Sequence, residues 1–282
     1  MTEDPLLRKL AALPCWQGAV SLEPLKGGLT NLSFVAQDRG EKFVVRCGGD
    51  IPVHHVFRDR ERAASRAAFE AGLSPEVIYV EPGITVLRFI DGRTFAEADM
   101  RADLDRLVPL LKTCHREVGR RLRGPANMFW VFHVIREYVR TAGADAKYLA
   151  VADALERRQV PMPIVFGHHD LLPGNFMDDG QRLWLIDWEY GAFGTPMFDL
   201  ANLSANGEFD ATRDEALLAA YFDGDVGPDL KGAFAAMKAA SALREALWAM
   251  VSDLHLKTPG VDYQAHAREY LRRFEQLLAA DR

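Results

Sequence analysis

Short stretches of alternating apolar and polar residues occupy the first third of the chain, and each has the two-residue period of a β-strand. The turn sequences KGG, DRGE and EPG separate these stretches. The pattern predicts an amphipathic helix over 1–13 and antiparallel strands at roughly 19–25, 30–37, 41–46, 76–80 and 84–90. Between the third and fourth strands, residues 54–72 are predicted to be helical and to end at Gly72. The first 90 residues therefore predict a small sheet with one main helix.

Longer stretches with a 3.6-residue period dominate from residue 91 onward. Helices are predicted over 99–118, 127–143, 145–158, 196–206, 211–223, 229–254 and 262–280. Between the third and fourth of these, PMPIVFG predicts a strand, and NFM and RLWLI on either side of DDGQ predict a hairpin. We therefore predict an α+β protein with an N-terminal lobe (residues 1–90), a mostly helical C-terminal lobe (residues 91–282) and a ligand cleft where the lobes meet.

Composition narrows the functional classes. The 282 residues carry a net charge of −6, which argues against a nucleic-acid-binding surface because phosphate contacts need clustered positive charge. Cys15, Cys47 and Cys114 are far apart and odd in number, so neither a disulfide framework nor a structural zinc site is indicated. The N-terminal stretch lacks the apolar core of a signal peptide, and no apolar run approaches the ~20 residues of a membrane span. We expect a cytoplasmic enzyme or binding protein without a nucleic-acid or membrane partner, and the oligomeric state stays open.

Three oxygen-bearing side chains surround the predicted hairpin. Asn175 and Asp187 flank its open end, so they are expected to be neighbours in space although 12 positions apart. Asp170 precedes Asn175 by five residues, in a loop that Pro173 and Gly174 allow to fold back. Carboxylate and amide oxygens are the ligands that Mg²⁺ prefers, and Mg²⁺ completes its shell with water and substrate phosphates. We predict that Asn175 and Asp187 bind Mg²⁺ and that Asp170 accepts a proton from, or orients, an attacking hydroxyl.

The same segment has two alternative interpretations. Any one of these residues alone is more simply interpreted as a turn cap, because Asp and Asn commonly cap turns. His168 and His169 are potential zinc ligands, but neighbouring side chains in an extended segment point in opposite directions, and no further His or Cys lies nearby at metal-binding spacing. The combination of all three oxygen-bearing residues at this spacing favours the magnesium site.

The order of these residues matches a family pattern. In kinase-like phosphotransferases, the aspartate of an H-x-D sequence is followed five residues later by a metal-binding asparagine and, after a hairpin, by a metal-binding aspartate. Here the sequences are HHD, LLPGN and IDWEYG, and in that form the chain resembles the aminoglycoside phosphotransferase and choline kinase superfamily rather than the protein kinases. The resemblance implies a bilobal protein-kinase-like fold that uses ATP and Mg²⁺. It also implies that His168, and Asp199 in FDLANL, brace the catalytic loop.

The resemblance extends to the N-terminal lobe and implies a nucleotide site there. Gly27, Gly28 and Asn31 lie in the turn KGGLTN, whose backbone N–H groups can approach phosphates. The connector LRFIDG corresponds to the segment whose backbone, here around Phe89 and Ile90, binds the adenine edge.

A basic residue on the third strand is a further part of the implied nucleotide site. Arg46, in FVVRC, corresponds to the residue that holds the nucleotide phosphates, and its fork can grip two phosphate oxygens. The family pattern pairs this residue with an acid on the following helix. We expect Glu61, in preference to Asp59, to be that partner.

The C-terminal segment resembles the end of choline and ethanolamine kinases, in which a Trp and a Tyr help to form the amine pocket. The matching positions are Trp248 and Tyr263. The candidate acceptor-binding residues are Asp170, Glu189, Tyr190, Glu245, Trp248 and Tyr263. A second Trp of the eukaryotic pattern is replaced by Glu245, which weakens the case for choline itself and leaves ethanolamine, thiamine or another amino alcohol open.

The position of Trp248 on its predicted helix supports two interpretations. The apolar stripe of this helix consists of Ala236, Ala240, Leu243, Leu247, Met250 and Leu254. Trp248 lies off the stripe, beside Arg244 and Glu245. Its ring either lines a cleft and holds an ammonium group by cation–π attraction, or packs against the last helix.

The predicted function is transfer of the γ-phosphate of ATP to the hydroxyl of choline or a similar amino alcohol. Alternative acceptors for the same chemistry are thiamine, an aminoglycoside and a sugar. A nucleotide-binding pseudokinase is the non-enzymatic alternative, and the intact Asp170, Asn175 and Asp187 argue against it.

Overall fold

A five-stranded antiparallel sheet forms the N-terminal part of the protein. The computed structural model describes residues 4–25, 32–256, 258 and 260–280. The strands are β1 (Ser21–Leu25), β2 (Leu32–Asp38), β3 (Glu41–Cys47), β4 (Val77–Glu81) and β5 (Ile84–Arg88). They lie in the order β1–β2–β3–β5–β4. The two-residue turn between β2 and β3 has positive φ at Arg39 (48°) and Gly40 (87°), the backbone of a tight hairpin.

Alternation along the central strands directs every second side chain into one small core. Phe34 and Ala36 of β2, Val45 of β3 and Val86 of β5 are buried there. Leu10 of helix α1 (Pro5–Ala11) is buried in the same core. The sheet and this helix therefore form a stable support for the side chains that leave the opposite face.

The main helix of this lobe, α2 (Arg58–Glu70), connects the sheet to the rest of the protein. It contacts β4, while its buried alanines, Ala64, Ala67 and Ala68, belong to the large core of the C-terminal part. As predicted, Gly72 ends the helix, with φ +77 in the left-handed region that glycine tolerates. Charged residues at the start of α2 are thereby held at the boundary between the two parts.

The C-terminal part is mainly helical and surrounds one central helix. The helices are α3 (Glu97–Ala102), α4 (Leu104–Thr113), α5 (Gly119–Arg121), α6 (Val131–Ala142), α7 (Lys147–Glu156), α8 (Pro196–Asn206), α9 (Ala211–Phe222), α10 (Pro228–His255) and α11 (Tyr263–Ala280). The 28-residue α10 contacts α6, α7, α8 and α11, so most of its residues from Ala233 to Ser252 are buried. Within the described ranges, we find no helix whose length and apolar character would let it cross a bilayer.

Three predicted helices are wrong in their extent. The predicted helix over 54–72 begins only at Arg58, because Phe57 is extended (φ −128, ψ 119). The predicted helix over 99–118 is divided, because Asp103 (φ −122, ψ 43) leaves the helical conformation and a π-helical turn, Cys114–Val118, follows α4. The predicted helix over 127–143 begins only at Val131. The backbone N–H of Phe129 donates to the carbonyl oxygen of Phe193 at 2.7 Å, so the preceding segment pairs with a strand instead.

Two small sheets hold the loops that matter for function. β7 (Val165–Gly167) pairs with β10 (Ala192–Gly194), and β8 (Phe176–Asp178) pairs with β9 (Leu183–Leu185) to form the predicted hairpin. β6 (Arg93–Thr94) adds to β8 directly after the connector between the lobes. An ideal Cβ at Gly92 would lie 2.5 Å from the carbonyl oxygen of Asp178, so the chain passes too close to the hairpin for a side chain. The lobe boundary at residues 90 and 91 stays a prediction.

Candidate active site

A buried carboxylate holds the loop that carries Asp170. This loop follows β7, and Asp199 of α8 accepts hydrogen bonds from the backbone N–H groups of His168 and His169, both at 2.8 Å. The Nε2–H of His115 donates to the same carboxylate at 2.9 Å. His169 has φ +62, a left-handed conformation that is uncommon for residues other than glycine. The bonds to Asp199 therefore fix a turn that the backbone would not otherwise favour.

Asparagine at position 199 is expected to lower the free energy of unfolding by about 3 kcal/mol. An amide has a single acceptor oxygen and would turn its own N–H₂ toward a loop donor, so a buried N–H loses its partner. Burial raises the pKa of Asp199, but His169 and the hydrogen bond from His115 outweigh burial and leave the pKa below its usual range. The stabilisation is therefore complete above the unfolded pKa of about 3.9 and declines as the pH falls below it, so urea denaturation should show the difference shrinking in acid.

The matched control for this variant is Asp223→Asn. Asp223 pairs with Lys112 at the surface, where its side chain is 75% exposed. Such pairs contribute about 1 kcal/mol or less, so this variant should unfold close to wild type. Equal losses of stability in the two variants would contradict the role given to Asp199.

The ring of His168 lies behind the Asp170 loop. It packs edge-on against Trp188, with ring centres 4.7 Å apart. The backbone N–H of Asp170 donates to its Nδ1 at 3.3 Å, so Nε2 carries the proton and donates to the carbonyl oxygen of Ile186 at 2.9 Å. His168 thus joins the Asp170 loop to the end of the hairpin.

Two asparagines that the sequence analysis did not identify also fix this loop. Asn202 accepts a hydrogen bond from the backbone N–H of Leu171 at 2.6 Å, and Asn206 donates to the carbonyl oxygen of Leu171 at 3.2 Å. Asp199, Asn202 and Asn206 follow one another at spacings of three and four residues on α8. This spacing places them on one helix face, and it is the sequence signal that could have identified them.

Asp170 and Asn175 are in direct contact. The amide nitrogen of Asn175 donates to the backbone oxygen of Asp170 at 2.8 Å and to its Oδ2 at 3.2 Å. Because the nitrogen is committed to Asp170, the amide oxygen of Asn175 is the atom that can bind a cation. Burial raises the pKa of Asp170 well above its usual range, and Arg244, whose Nη1 lies 3.7 Å from Oδ1 of Asp170, opposes this shift.

The hairpin brings Asp187 to the loop that carries Asp170 and Asn175. The backbone N–H of Ile186 donates to the carbonyl oxygen of Asn175 at 2.9 Å, which joins the two ends of the hairpin. Asp187 itself has φ +67, and strained backbone of this kind persists where surrounding contacts fix it, often at functional sites. The structure therefore gathers Asp170, Asn175 and Asp187 into one loop cluster.

A chain of alternating charges connects this cluster to the N-terminal lobe. The guanidinium of Arg46 binds Oδ1 of Asp187 at 2.8 Å and Oε1 of Glu61 at 2.9 Å. Arg58 binds Oε2 of Glu61 at 2.6 Å and Oε2 of Glu189 at 3.0 Å. Arg58 is absent from the predicted site, although it stands three residues before Glu61 on α2, a spacing at which helix side chains meet.

Two carboxylates follow β9, those of Asp187 and Glu189, and their pKa values shift in opposite directions. Burial raises the pKa of Asp187, but the charge and the hydrogen bond of Arg46 outweigh burial and lower that pKa. At Glu189, burial and then the negative charge of Asp187 raise the pKa to about 7. Asp187 is therefore the carboxylate that the protein keeps ionised.

The predicted nucleotide residues are only partly visible in the structure. Gly27, Gly28 and Asn31 lie outside the described residues. The backbone N–H of Phe89 donates to the carbonyl oxygen of Lys42 at 3.2 Å and so continues the pairing of β5 with β3. Ile90 is buried and Phe89 is half-buried. Adenine binding by this connector stays a prediction.

Four of the predicted acceptor-binding residues lie together: Tyr190, Glu245, Trp248 and Tyr263. Another of them, Glu189, pairs with Arg58 instead. The Nε1–H of Trp248 donates to the hydroxyl of Tyr190 at 2.9 Å, and its ring centre lies 5.9 Å from that of Tyr263. Trp248 is 6% exposed and Tyr263 is 2% exposed. The ring of Trp248 is thus packed against α11.

Arg244, which sequence reasoning did not identify as a site residue, lies at the centre of this group. Its guanidinium lies 4.6 Å from the ring centre of Tyr190, and its Nη1 binds Oε2 of Glu245 at 2.9 Å. The other oxygen of Glu245 accepts a hydrogen bond from Nε2 of His266 at 2.9 Å. The buried guanidinium of Arg244 therefore covers the ring face of Tyr190 and pairs with the carboxylate of Glu245, beside Asp170.

The donor set at Asn175 and Asp187 fits a hard divalent cation, because an amide oxygen and an ionised carboxylate are suitable ligands. Among the described residues, Cys114, His115 and Asp199 also bring three potential ligand atoms within 4.8 Å of one another. In that group, His115 donates to Asp199 at 2.9 Å and Cys114 donates to the carbonyl oxygen of Phe166 at 3.7 Å. Hydrogen bonds already account for this second cluster.

Comparison with known proteins identifies relatives along most of the chain. A choline/ethanolamine kinase family protein from Mesorhizobium loti is 32% identical with a TM-score of 0.79, and the match covers 99% of this chain and 95% of that one. The structure of LicA in complex with AMP is 26% identical with a TM-score of 0.77 and covers 98% of both chains. LicA of Haemophilus influenzae is 24% identical over 212 residues, which are 69% of this chain and 61% of that protein.

These relatives confirm the predicted α+β fold, a bilobal protein-kinase-like architecture with an antiparallel sheet in one lobe and mainly helices in the other. Residues 21–239 match the phosphotransferase enzyme family (APH). The match and the Mesorhizobium relative together show that the chain belongs to the choline/ethanolamine kinase branch of this phosphotransferase enzyme family.

Proposed function

We propose that the protein is an ATP-dependent kinase that transfers the γ-phosphate to the hydroxyl of choline or a similar amino alcohol. One observation carries the proposal: Asp170 touches Asn175, and Asn175 is hydrogen-bonded to the residue that precedes Asp187. Phosphoryl transfer depends on positioning and on charge neutralisation more than on covalent chemistry by the protein. The loop cluster offers acidic groups for both tasks.

Arg46 is the proposed clamp for the nucleotide phosphates. Glu61 and Asp187 hold its guanidinium from two sides, at 2.9 and 2.8 Å, so the fork is oriented before substrate arrives. The other proposed nucleotide-binding residues are Gly27, Gly28, Asn31, Phe89 and Ile90. The relative LicA binds AMP, which supports an adenine nucleotide as the phosphate donor.

Asn175 and Asp187 are the proposed Mg²⁺ ligands. When bound, the ion would supply positive charge beside the transferring phosphoryl group. Arg46 keeps Asp187 ionised and therefore able to act as a ligand. The contact with Asp170 orients the amide of Asn175 so that its oxygen is free for the same purpose.

Asp170 is the proposed catalytic residue. Its carboxylate would accept a hydrogen bond from the acceptor hydroxyl, orient that oxygen for in-line attack and take up its proton. The hydrogen bonds that the backbone N–H groups of His168 and His169 donate to Asp199 keep the loop in place during this step. His168 and Asp199 are accordingly proposed as supporting residues.

The amino-alcohol acceptor is supported by the relatives, which include choline and ethanolamine kinases. Glu189, Tyr190, Glu245, Trp248 and Tyr263 are the residues proposed for the acceptor side, with Arg244 between them. Choline and ethanolamine share a hydroxyl two carbons from a nitrogen, so one arrangement of Asp170 suits both.

A screen of ATP consumption with the purified protein and Mg²⁺ tests this proposal. We expect choline or ethanolamine to give a kcat/KM at least about tenfold above that of thiamine, aminoglycosides and sugars, a difference of about 1.4 kcal/mol in transition-state binding. Phosphorylation of an aminoglycoside or a sugar alone would transfer the function to that acceptor. Binding of Mg·ATP without turnover of any acceptor would indicate a pseudokinase and end the proposal.

A further inference from the structure

A buried arginine on α10 faces Asp170 and has no task in the proposed mechanism. Arg244 is 1% exposed, although it carries a charge. Its Nη1 lies 3.7 Å from Oδ1 of Asp170 and binds Oε2 of Glu245 at 2.9 Å. Among the residues that the structure describes, it is the only cationic side chain that pairs with Asp170. The direct positive partner of the proposed proton acceptor therefore comes from α10.

The surroundings of Asp170 also contain several negative charges. Asp170 is buried, and Asp187, Glu189 and Glu245 all lie close enough for their charges to act on it. A buried carboxylate without an opposite charge is costly, because it has lost the solvation that water provides. The guanidinium of Arg244 offsets this cost at the place where the acceptor hydroxyl has to bind.

The two carboxylate oxygens of Asp170 have different partners. The amide nitrogen of Asn175 donates to Oδ2 at 3.2 Å, whereas Oδ1 faces Nη1 of Arg244. The 3.7 Å between Nη1 and Oδ1 exceeds hydrogen-bonding distance, so Arg244 attracts Oδ1 through its charge alone. The lone pairs of Oδ1 stay free to accept a hydrogen bond from a hydroxyl. The carboxylate is thus held without loss of the oxygen that the reaction needs.

The guanidinium of Arg244 is itself fixed by its neighbours. Glu245 binds its Nη1, and the ring centre of Tyr190 lies 4.6 Å from its central carbon. Glu245 in turn accepts a hydrogen bond from Nε2 of His266 on α11 at 2.9 Å. The hydroxyl of Tyr190 accepts one from the indole N–H of Trp248, also at 2.9 Å. Contacts from α11 therefore reach the catalytic loop through buried side chains of α10.

Stability alone does not account for a guanidinium at this position. Nε and Nη2 of Arg244 are buried without a hydrogen-bond partner among the described residues. Buried ion pairs are often no more stable than apolar side chains of similar volume, and N–H groups without a partner add a further cost. Such departures from the most stable arrangement are expected where a side chain serves the chemistry of a site.

We propose that Arg244 is a positioning residue for phosphoryl transfer, because its charge holds the carboxylate of Asp170 in place. Glu245 and His266 hold Arg244 in turn. The inference rests on the proposed kinase function. In the transfer step, the acceptor oxygen forms a bond to the γ-phosphorus, the bond from that phosphorus to ADP breaks, and the hydroxyl proton passes to Asp170. Arg244 takes no proton and forms no bond in this step, and it acts through Asp170.

The first test removes the charge of Arg244 and then restores it. Arg244→Met keeps most of the length and apolar bulk of the side chain. With the acceptor that wild type phosphorylates fastest, kcat should fall about 30-fold to 100-fold, since a displaced reacting group has effects of this size. The KM for ATP should stay within about twofold of wild type. Arg244→Lys restores the charge, so its kcat should lie within about fivefold of wild type.

Arg136→Met is the matched control for Arg244→Met. Arg136 on α6 also pairs with two carboxylates, but these belong to Asp153 and Glu156 on α7. The kcat of this variant should stay within about twofold of wild type. Equal losses of kcat in the two methionine variants would contradict a specific role for Arg244.

A double-mutant cycle shows whether Arg244 acts through Asp170. In Asp170→Asn the carboxylate that Arg244 holds is already gone, so adding Arg244→Met should lower kcat by less than about threefold. Transfer of radiolabelled phosphate from ATP measures these slow rates. Full additivity of the two losses would overturn the proposal, because Arg244 would then act by another route. A loss confined to the KM for the acceptor would overturn it as well.

A second variant keeps the proposal testable if Arg244→Met does not fold. Combining Arg244→Met with Glu245→Gln removes both charges of the pair, which a buried site tolerates better than the loss of one partner. Its kcat should fall at least about 30-fold, because the charge that holds Asp170 is again absent. A folded double variant with a kcat within about threefold of wild type would reject the role of Arg244.

The outcomes separate the role of Arg244 from the kinase function. If wild type phosphorylates an acceptor and Arg244→Met does so with the wild-type kcat, the positioning role is wrong and the kinase function stands. If Arg244→Met loses kcat, Arg244→Lys recovers it and the loss disappears in Asp170→Asn, both stand. If wild type transfers phosphate to no acceptor, both are wrong.

Discussion

Alanine at position 170 is expected to lower turnover of the acceptor about 10³-fold while Mg·ATP still binds. The carboxylate of Asp170 is the proposed proton acceptor, and removing it leaves the acceptor hydroxyl without a group that orients it. Arg46, Asp187 and Asn175 all remain in this variant, so the nucleotide side of the site keeps its charges. Initial rates with choline or ethanolamine, together with calorimetric titration of Mg·ATP, measure the two effects separately.

Asp170→Asn refines this test because it preserves the volume of the side chain. It should lose nearly as much turnover as alanine, since an amide cannot accept the proton. Asp153→Ala is a control, because Asp153 is half-exposed on α7 and pairs with Arg136. Turnover of Asp170→Ala within about tenfold of wild type would reject the catalytic role.

The loop cluster of Asp170, Asn175 and Asp187 could be predicted because local signals determine it. The turn DDGQ sets the hairpin, Gly180 supplies its positive φ of 84°, and the ends of the two strands then bring Asn175 and the chain before Asp187 together. The pairing of Arg46 with Glu61 was expected from the family resemblance instead, and the structure has the two side chains 2.9 Å apart.

The surroundings of α10 could not be predicted in the same way. The proposed apolar stripe ends at Leu254, which is 52% exposed, whereas Arg244 is 1% exposed. A one-sided stripe is expected when a helix packs against a single surface, but four helices surround α10 and bury nearly every face. Which polar residues enter the core then depends on distant partners, such as His266 for Glu245.

Very short strands and irregular turns were also beyond the sequence signal. β6 has two residues and β10 has three, too few to display alternation. The π-helical turn that directs His115 toward Asp199 interrupts a continuous helical period without any Pro or Gly inside it. Arg58 and Arg244 were missed because single charged residues on helices are usually solvated, and their burial follows only from tertiary packing.

The second large effect is expected for Asp187→Asn, and it differs from the effect expected for Asp170→Ala. The change removes the ionised carboxylate that binds Arg46 at 2.8 Å and that is proposed to bind Mg²⁺. Loss of such electrostatic stabilisation typically costs about 2.7–4 kcal/mol, so kcat/KM should fall about 10²–10³-fold. Unlike Asp170→Ala, this variant should also bind Mg·ATP more weakly, because the phosphate clamp and the metal ligand are both disturbed.

Asp178→Asn is the matched control for position 187, because it makes the same chemical change in the same hairpin. Asp178 pairs with Arg106 at 2.9 Å and has no proposed role in catalysis, so activity and Mg·ATP binding should stay within about threefold of wild type. Calorimetric titration with ATP should be repeated at several Mg²⁺ concentrations. In wild type the affinity for ATP should rise with Mg²⁺, and in Asp187→Asn this dependence should be largely lost. A wild-type dependence on Mg²⁺ in Asp187→Asn would show that the ion binds elsewhere, and the assignment of Asn175 and Asp187 as its ligands would then be wrong.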